Sequence, residues 1–136
     1  NFKEVLAEYD QQIGRLMEGL THLGLEKNTI VIFTSDNGPA PSFQQMRTNS
    51  LLGVKCSLYE GGIRMPFAIH WPEKIKAGGI NDSSIVCAVD LLPSLCALTG
   101  AKLPLDMELS GEDMSRALLG EPQIRKKDLM WDFGMG

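Results

Sequence analysis

A chain of 136 residues has the length of one globular domain, or of a piece of a larger one. Its 43% apolar and 22% charged content is ordinary for a globular protein. The 13 basic against 17 acidic side chains give −4, which leaves no basic surface for nucleic acid, and no apolar run approaches the roughly 20 residues of a membrane-spanning helix.

In chain order, residues 3–23 carry the first pattern. Phe2, Val5, Leu6, Tyr9, Ile13, Leu16, Met17, Leu20 and Leu23 recur at three- and four-residue steps, with Glu4, Glu8, Arg15 and Glu18 mostly on the other face. This predicts an amphipathic helix roughly 30 Å long, enough to cover one face of a sheet, with Gly24 as its stop and Leu25 as the apolar contact that follows. Residues 29–35 follow as a strand whose continuous Ile/Val run predicts burial on both faces, as an inner strand of an α/β sheet. Residues 38–64 are rich in Gly, Pro, Ser, Gln and Asn and predict a long functional loop with a short helical piece at 43–51. Gly61-Gly62 predict a tight turn into the next strand, Met65 to Trp71, closed by Pro72. Residues 73–83 read as a surface connection. Asp90 is placed to cap a helix over about 91–99, with Pro93 in its first turn and Gly100 at its end. A short helix is expected at about 112–119 before Gly120, and a third strand at 128–133.

Cys56, Cys87 and Cys96 are odd in number and show no Cys-x-x-Cys spacing, so neither a disulfide framework nor a zinc site is supported. Cys87 and Cys96 read as small buried hydrophobes, and Cys56 as a packing residue. His22, at a helix end, is expected to face solvent, and His70 to be a satisfied structural residue.

The chemistry concentrates at two places. At the C-terminal end of the 29–35 strand, Asp36 and Asn37 set a carboxylate beside an amide, and such strand ends are where α/β sheets bind ligands. Hard cations take oxygen ligands, about six or more, so two would leave the rest to water, substrate or other segments. The same Asp-Asn-Gly is also ordinary turn chemistry. Further on, Lys55 follows Gly53 and precedes Glu60-Gly61-Gly62. It reads either as a solvated surface lysine or as a compact charge for an oxyanion, an attraction on the order of 4 kcal/mol at ~4 Å and an effective dielectric near 20. Glu60 and Arg64, four apart, are spaced to brace that loop. No Ser-His-Asp arrangement and no glycine-rich phosphate loop emerges from the spacing.

Taken in order, these pieces resemble the sulfatase family of the alkaline phosphatase superfamily. The resemblance runs along most of the chain: Glu8-Tyr9-Asp10-Gln11-Gln12-Ile13-Gly14-Arg15-Leu16, then Asn28 to Gly38, then Gly53-Val54-Lys55 with Leu58 to Pro66, then Val89-Asp90-Leu91-Leu92-Pro93-Ser94-Leu95 to Thr99-Gly100, then Ser110-Gly111-Glu112-Asp113-Met114 to Gly120. Each segment is weak alone, and five in the family's order are specific. The resemblance implies an α/β fold: part of the three-layer sulfatase/alkaline-phosphatase-like fold, helices on a mostly buried mixed sheet, incomplete at both ends. Residues 1–100 would be the C-terminal part of the catalytic domain, and 101–136 a connection and the start of a smaller subdomain.

It further implies that Asp36 and Asn37 are two ligands of one Ca²⁺ and that Lys55 contacts the sulfate ester. The reaction would be sulfate-ester hydrolysis by a formylglycine hydrate, with Ca²⁺ polarising the sulfate. The family's Cys/Ser-x-Pro/Ala-x-Arg nucleophile motif follows none of Cys56, Cys87 and Cys96, nor any serine. The early aspartate pair and active-site histidines of the family also have no counterpart, and Ser110 stands where the family often carries Asp. We therefore expect these parts upstream of Asn1-Phe2-Lys3-Glu4, which carries neither an initiator Met nor a signal-peptide pattern. The chain alone is then expected to be inactive and to partner the rest of its own polypeptide and a sulfated glycan or aryl sulfate. No nucleic acid or membrane span enters, and the family resemblance implies a periplasmic, secreted or lysosomal location. A phosphate- or phosphonate-ester hydrolase of the same superfamily, or a non-catalytic binding module, is the alternative.

Overall fold

The structure is a computed structural model that describes residues 1–43, 47–104 and 106–134. The chain divides into two compact units, residues 1–31 with 69–78 and residues 32–68 with 79–136. No helix among the described residues is long and apolar enough to cross a membrane.

The first unit contains helix α1, Phe2–His22. The Asn1 side chain accepts the Lys3 N–H at 2.9 Å and Glu4 reaches back to Asn1, a capping box that gives acceptors to orphan donors of the first turn. At the other end Gly24 takes φ 68, the Gly24 N–H reaches the Thr21 carbonyl at 3.0 Å, and the Leu25 N–H reaches Leu20 at 2.9 Å. This is the glycine stop the sequence predicts, closed as a Schellman motif. The apolar stripe of α1 is not covered: none of its residues is buried, and Val5 is 63% exposed. The expected burial against a sheet fails because the sheet of the described residues has two strands of four residues, each about 13 Å long. In the same unit Trp71 is buried, and the Lys74 ammonium lies 4.5 Å from its ring centroid. The N–H groups of Lys74 and Ile75 close a turn onto the Trp71 carbonyl at 3.0 and 2.8 Å.

Strand β1, Val31–Thr34, pairs with β2, Phe67–His70. The expected double-sided burial of β1 is not observed: Val31 and Ile32 are half-buried and Phe33 is 41% exposed. An inner strand needs a neighbour on each edge, and β1 has one among the described residues.

In the second unit, the helical piece expected at 43–51 is a single 3₁₀ turn at Pro41–Phe43 and a turn at 47–50, with 44–46 outside the described residues. Gly61 and Gly62 are not a tight turn. They lie in the one-turn helix α2, Glu60–Ile63, and neither has positive φ.

Helix α3 runs from Ala88 to Thr99 and ends at Gly100 with φ 76, as predicted. It starts three residues earlier than expected, because Cys87 is the N-cap and Asp90 caps from inside the first turn. Pro93 therefore falls in the second turn, where its missing N–H leaves the Val89 carbonyl without its helical donor. Gly111 packs directly on that carbonyl, in space a Cβ would fill.

Helix α4 is only Ser115–Leu118, shorter than the predicted 112–119. The preceding amides are already engaged: Glu112 N–H donates to Asp90 Oδ1 at 3.0 Å and Met114 N–H to Ser94 Oγ at 2.8 Å. Helices α3 and α4 pack together, and the unit's core is Met114, Leu118 and Ala117 with the buried Asp90 and Ser94. No strand forms at 128–133, where Met130 is 91% exposed and no partner strand is present among the described residues.

Asp90 organises the far end of this unit. Its carboxylate accepts the Cys87 N–H at 2.8 Å, the Glu112 N–H, and Arg125 Nη1. Glu112 in turn accepts the Lys126 and Lys127 N–H groups at 2.8 and 2.9 Å. The Lys127 N–H above all, with the Lys126 N–H and the Arg125 guanidinium, holds the Glu112 carboxyl below its ordinary value of 4.5. Since its pKa is lower folded than unfolded, Glu112 contributes stability above the ordinary carboxylate range, and that contribution fades as pH falls through the lowered value. Glu112→Gln should therefore lower urea midpoints at neutral pH and converge on the wild type only once the pH has fallen below that lowered value.

Candidate functional site

The site lies in the second unit, where β1 ends. Thr34 Oγ1 donates to the Pro66 carbonyl at 3.0 Å, tying the end of β1 to the start of β2. Ser35 Oγ donates to the Asn37 carbonyl at 3.0 Å, and Asn37 Nδ2 donates to the Gly38 carbonyl at 2.9 Å. The second bond fixes the amide with its Oδ1 left as the open acceptor. Asn37 is half-buried, and Asp36 is exposed with no hydrogen bond or ion pair to its carboxylate among the described residues. Two oxygen donors of hard-cation type thus stand side by side, unconsumed by the fold. No group of three or more His, Cys, Asp or Glu side chains placed to hold a metal occurs among the described residues.

The lysine segment meets this strand end through its backbone. The Lys55 N–H donates to the Pro39 carbonyl at 2.9 Å, two residues beyond Asn37. Its ammonium is exposed, with no carboxylate in ion-pair range among the described residues. The Gly38 N–H donates to the Gly62 carbonyl at 3.0 Å, and the Gly61 N–H to the Leu52 carbonyl at 2.7 Å. Segments 36–39, 52–57 and 60–62 are therefore stitched together, main chain to main chain.

Glu60 and Arg64 form the predicted pair at 3.0 Å, with both side chains more than half exposed. A pair so exposed contributes little on its own, under about 1 kcal/mol. His22 is exposed as expected, whereas His70 is exposed too and its imidazole makes no hydrogen bond among the described residues, so it is not the satisfied structural histidine expected. All three cysteines are free. Cys87 and Cys96 are half-buried rather than buried.

Cys56 is not the packing residue expected: it is exposed, and its φ of 69 lies in the left-handed region. A β-carbon there costs roughly 1–2 kcal/mol, set against the greater chain entropy of glycine. Cys56→Gly should raise stability by up to about 1 kcal/mol, read as a higher urea midpoint with an unchanged slope.

Sequence reasoning missed the main-chain ties. The signal for them is the set of glycines at 38, 61 and 62, which composition alone reads as turn residues. Periodicity does not register such a pattern, because close backbone approach leaves no hydrophobic trace.

The sulfatase family model matches residues 2–101. Human arylsulfatase A is 38% identical over 134 residues, an alignment that takes in 96% of this chain and 25% of that protein. An N-acetylgalactosamine-6-O-sulfatase of Bacteroides thetaiotaomicron is 34% identical over 129 residues, with 87% and 25% covered. A solved structure of Ps i-CgsB in complex with k-i-k-neocarrahexaose shares 36% identity and superposes with a TM-score of 0.73, over 83% of this chain and 25% of that one. The chain thus spans about a quarter of the length of the curated relatives it matches.

Proposed function

This chain belongs to the sulfatase family, and from that premise we propose that it forms one wall of the active site of a sulfuric ester hydrolase. The observation that carries the reading is the bond from the Lys55 N–H to the Pro39 carbonyl at 2.9 Å, which joins the lysine segment to the segment of Asp36 and Asn37. Two oxygen donors and one cation on adjoining segments suit a metal ion and an anionic group bound next to each other.

Asp36 and Asn37 would hold a Ca²⁺, through the uncommitted carboxylate and the Asn37 Oδ1 that the Nδ2 bond to Gly38 leaves open. When bound, the ion supplies Lewis-acid polarisation of the sulfate, and a formylglycine made from a Cys or Ser elsewhere in the polypeptide supplies the nucleophile. The work of this chain is electrostatic. The Lys55 ammonium binds the sulfate oxygens and stabilises charge that grows on the leaving oxygen as the S–O bond opens. The tie from the Lys55 N–H to the Pro39 carbonyl holds the segment that carries this ammonium in place ahead of the reaction, which lessens the reorganisation the transition state needs. The names of the relatives support a sulfate ester as substrate, and the surrounding loops, rather than this core, would choose among glycan and aryl esters.

Two donors do not make a calcium site. By isothermal titration the 136-residue chain should bind Ca²⁺ weakly, and it should release no sulfate from 4-nitrophenyl sulfate. The full-length protein should cleave sulfate esters and lose that activity to chelation, with activity restored by Ca²⁺. Tight Ca²⁺ binding by the isolated chain, or turnover above a Lys55→Ala control, would overturn the half-site reading.

A further inference from the structure

Five glycines among the described residues leave no room for a side chain: Gly38, Gly53, Gly61, Gly62 and Gly111. Others, such as Gly14, Gly19 and Gly78, face open space. Of the five, Gly53 has a φ of 90, a conformation that itself favours glycine. Gly38, Gly61 and Gly62 have no positive φ, so what demands glycine there is space alone. All three are buried.

Their obstructions form a chain. A Cβ on Gly38 would strike the Gly61 carbonyl and come within 3.0 Å of the Gly62 Cα. On Gly61 it would strike the Gly53 carbonyl and lie 2.7 Å from the Leu52 carbonyl oxygen. On Gly62 it would strike the Ser57 carbonyl and lie 2.6 Å from that of Val54. Every obstructing atom belongs to the main chain, so no side chain can swing aside. The struck atoms bracket Lys55: Leu52, Gly53 and Val54 on one side and Ser57 on the other. On the opposite side of the seam Gly38 directly follows Asn37.

We propose that Gly38, Gly61 and Gly62 are positioning residues: a side-chain-free seam that sets the register of the Lys55 segment against Asp36 and Asn37. The inference rests on the assignment of those three residues to a sulfate-ester site. Adding one methyl group to Gly62 has nowhere to go except against the carbonyls of Val54 and Ser57, which moves the loop that carries Lys55. Misplacing a catalytic group by about 1 Å can cost on the order of 10²-fold in rate. The seam therefore acts through Lys55, and its effect should vanish when the ammonium is absent.

The test is a double-mutant cycle in the full-length protein, following release of inorganic sulfate from 4-nitrophenyl sulfate and from a neocarrahexaose. Lys55→Ala, Gly62→Ala and the double variant are compared with wild type, with circular dichroism confirming the fold of each. Gly62→Ala is expected to lower kcat about 10- to 100-fold in the presence of Lys55, and by less than about twofold in the Lys55→Ala background, since residues acting as a unit are not additive. Equal losses in both backgrounds mean a general structural role and overturn the proposal, as does a Gly62→Ala variant with wild-type kcat. If Gly62→Ala does not fold, Ser57→Ala takes its place: it removes the acceptor of the Tyr59 N–H at 3.1 Å without adding an atom. It is then expected to lower kcat several-fold with Lys55 present and not in its absence, and any other result overturns the seam. Unchanged turnover in Lys55→Ala, or no sulfate release by the wild type, instead removes the underlying assignment of the site.

Discussion

Lys55→Ala in the full-length protein should lower kcat/KM for sulfate-ester cleavage by about 10²–10³-fold, with most of the loss in kcat. The reasoning starts from what the lysine does not do in the fold. Its ammonium is exposed and makes no ion pair among the described residues, so removing it leaves no buried partner uncompensated. Stability should move by no more than about 0.5 kcal/mol, as for other surface substitutions. A large rate loss on an unchanged melting curve is the signature of an interaction made in the transition state. Lys55→Arg should recover only part of the activity, because a planar fork on a longer arm does not replace a compact ammonium. A wild-type kcat/KM for Lys55→Ala would remove the residue from the chemistry.

Asp90→Ala should be the most destabilising single substitution considered, at about 3–5 kcal/mol. Asp90 is fully buried, and Arg125 is only 10% exposed. Truncating the carboxylate leaves a buried guanidinium with only the Glu112 carboxylate in range, 3.7 Å from Nε, and with Nε and Nη2 already lacking hydrogen-bond partners. It also removes the acceptor of the Cys87 N–H at the start of α3 and of the Glu112 N–H before α4. The loss is a large share of the roughly 5–15 kcal/mol that holds a typical domain folded, so the variant should fail to accumulate or should melt well below the wild type. Asp90→Ala combined with Arg125→Met removes the buried charge that has lost its nearer carboxylate and should recover part of the loss. If Asp90→Ala costs under about 1 kcal/mol by urea denaturation, the carboxylate is not the organising group described.

Signals in this sequence are legible where the physics is local. Helix α1 and the Glu60–Arg64 pair follow from side chains three or four residues apart, and the Gly24 and Gly100 stops from the left-handed conformation glycine adopts at a helix end. The failures share a different cause. The start of α3 was misplaced because the carboxylate of Asp90 acts as an N-cap does, yet from inside the first turn. Helix α4 came out short because distant side chains claim the amides before it. The 128–133 segment has strand composition and no strand to pair with among the described residues, and composition alone does not create a partner. At the site, residue types and order point to Asp36, Asn37 and Lys55, and the proximity of their segments follows from the family resemblance but from no local signal. It is made by backbone bonds between Gly38 and Gly62 and between Lys55 and Pro39, and main-chain atoms carry no residue code.

Among the described residues the stretch 121–134 has no helix or strand, yet it is tied to distant parts of its unit. The Gln123 N–H reaches Ser84 Oγ across 39 positions, Asn81 Nδ2 reaches the Glu121 carbonyl across 40, and Arg125 reaches Asp90 across 35. Each tie closes a long loop, and the entropy of loop closure rises only by about 0.6 kcal/mol per doubling of length. The expense lies in the first closure. Once Asn81 and Glu121 meet, Ser84 and Gln123 are already neighbours, and the remaining links shut rings of a few residues. These ties should therefore form and break together, so that a segment without regular structure behaves as one cooperative strap, latched or released as a whole.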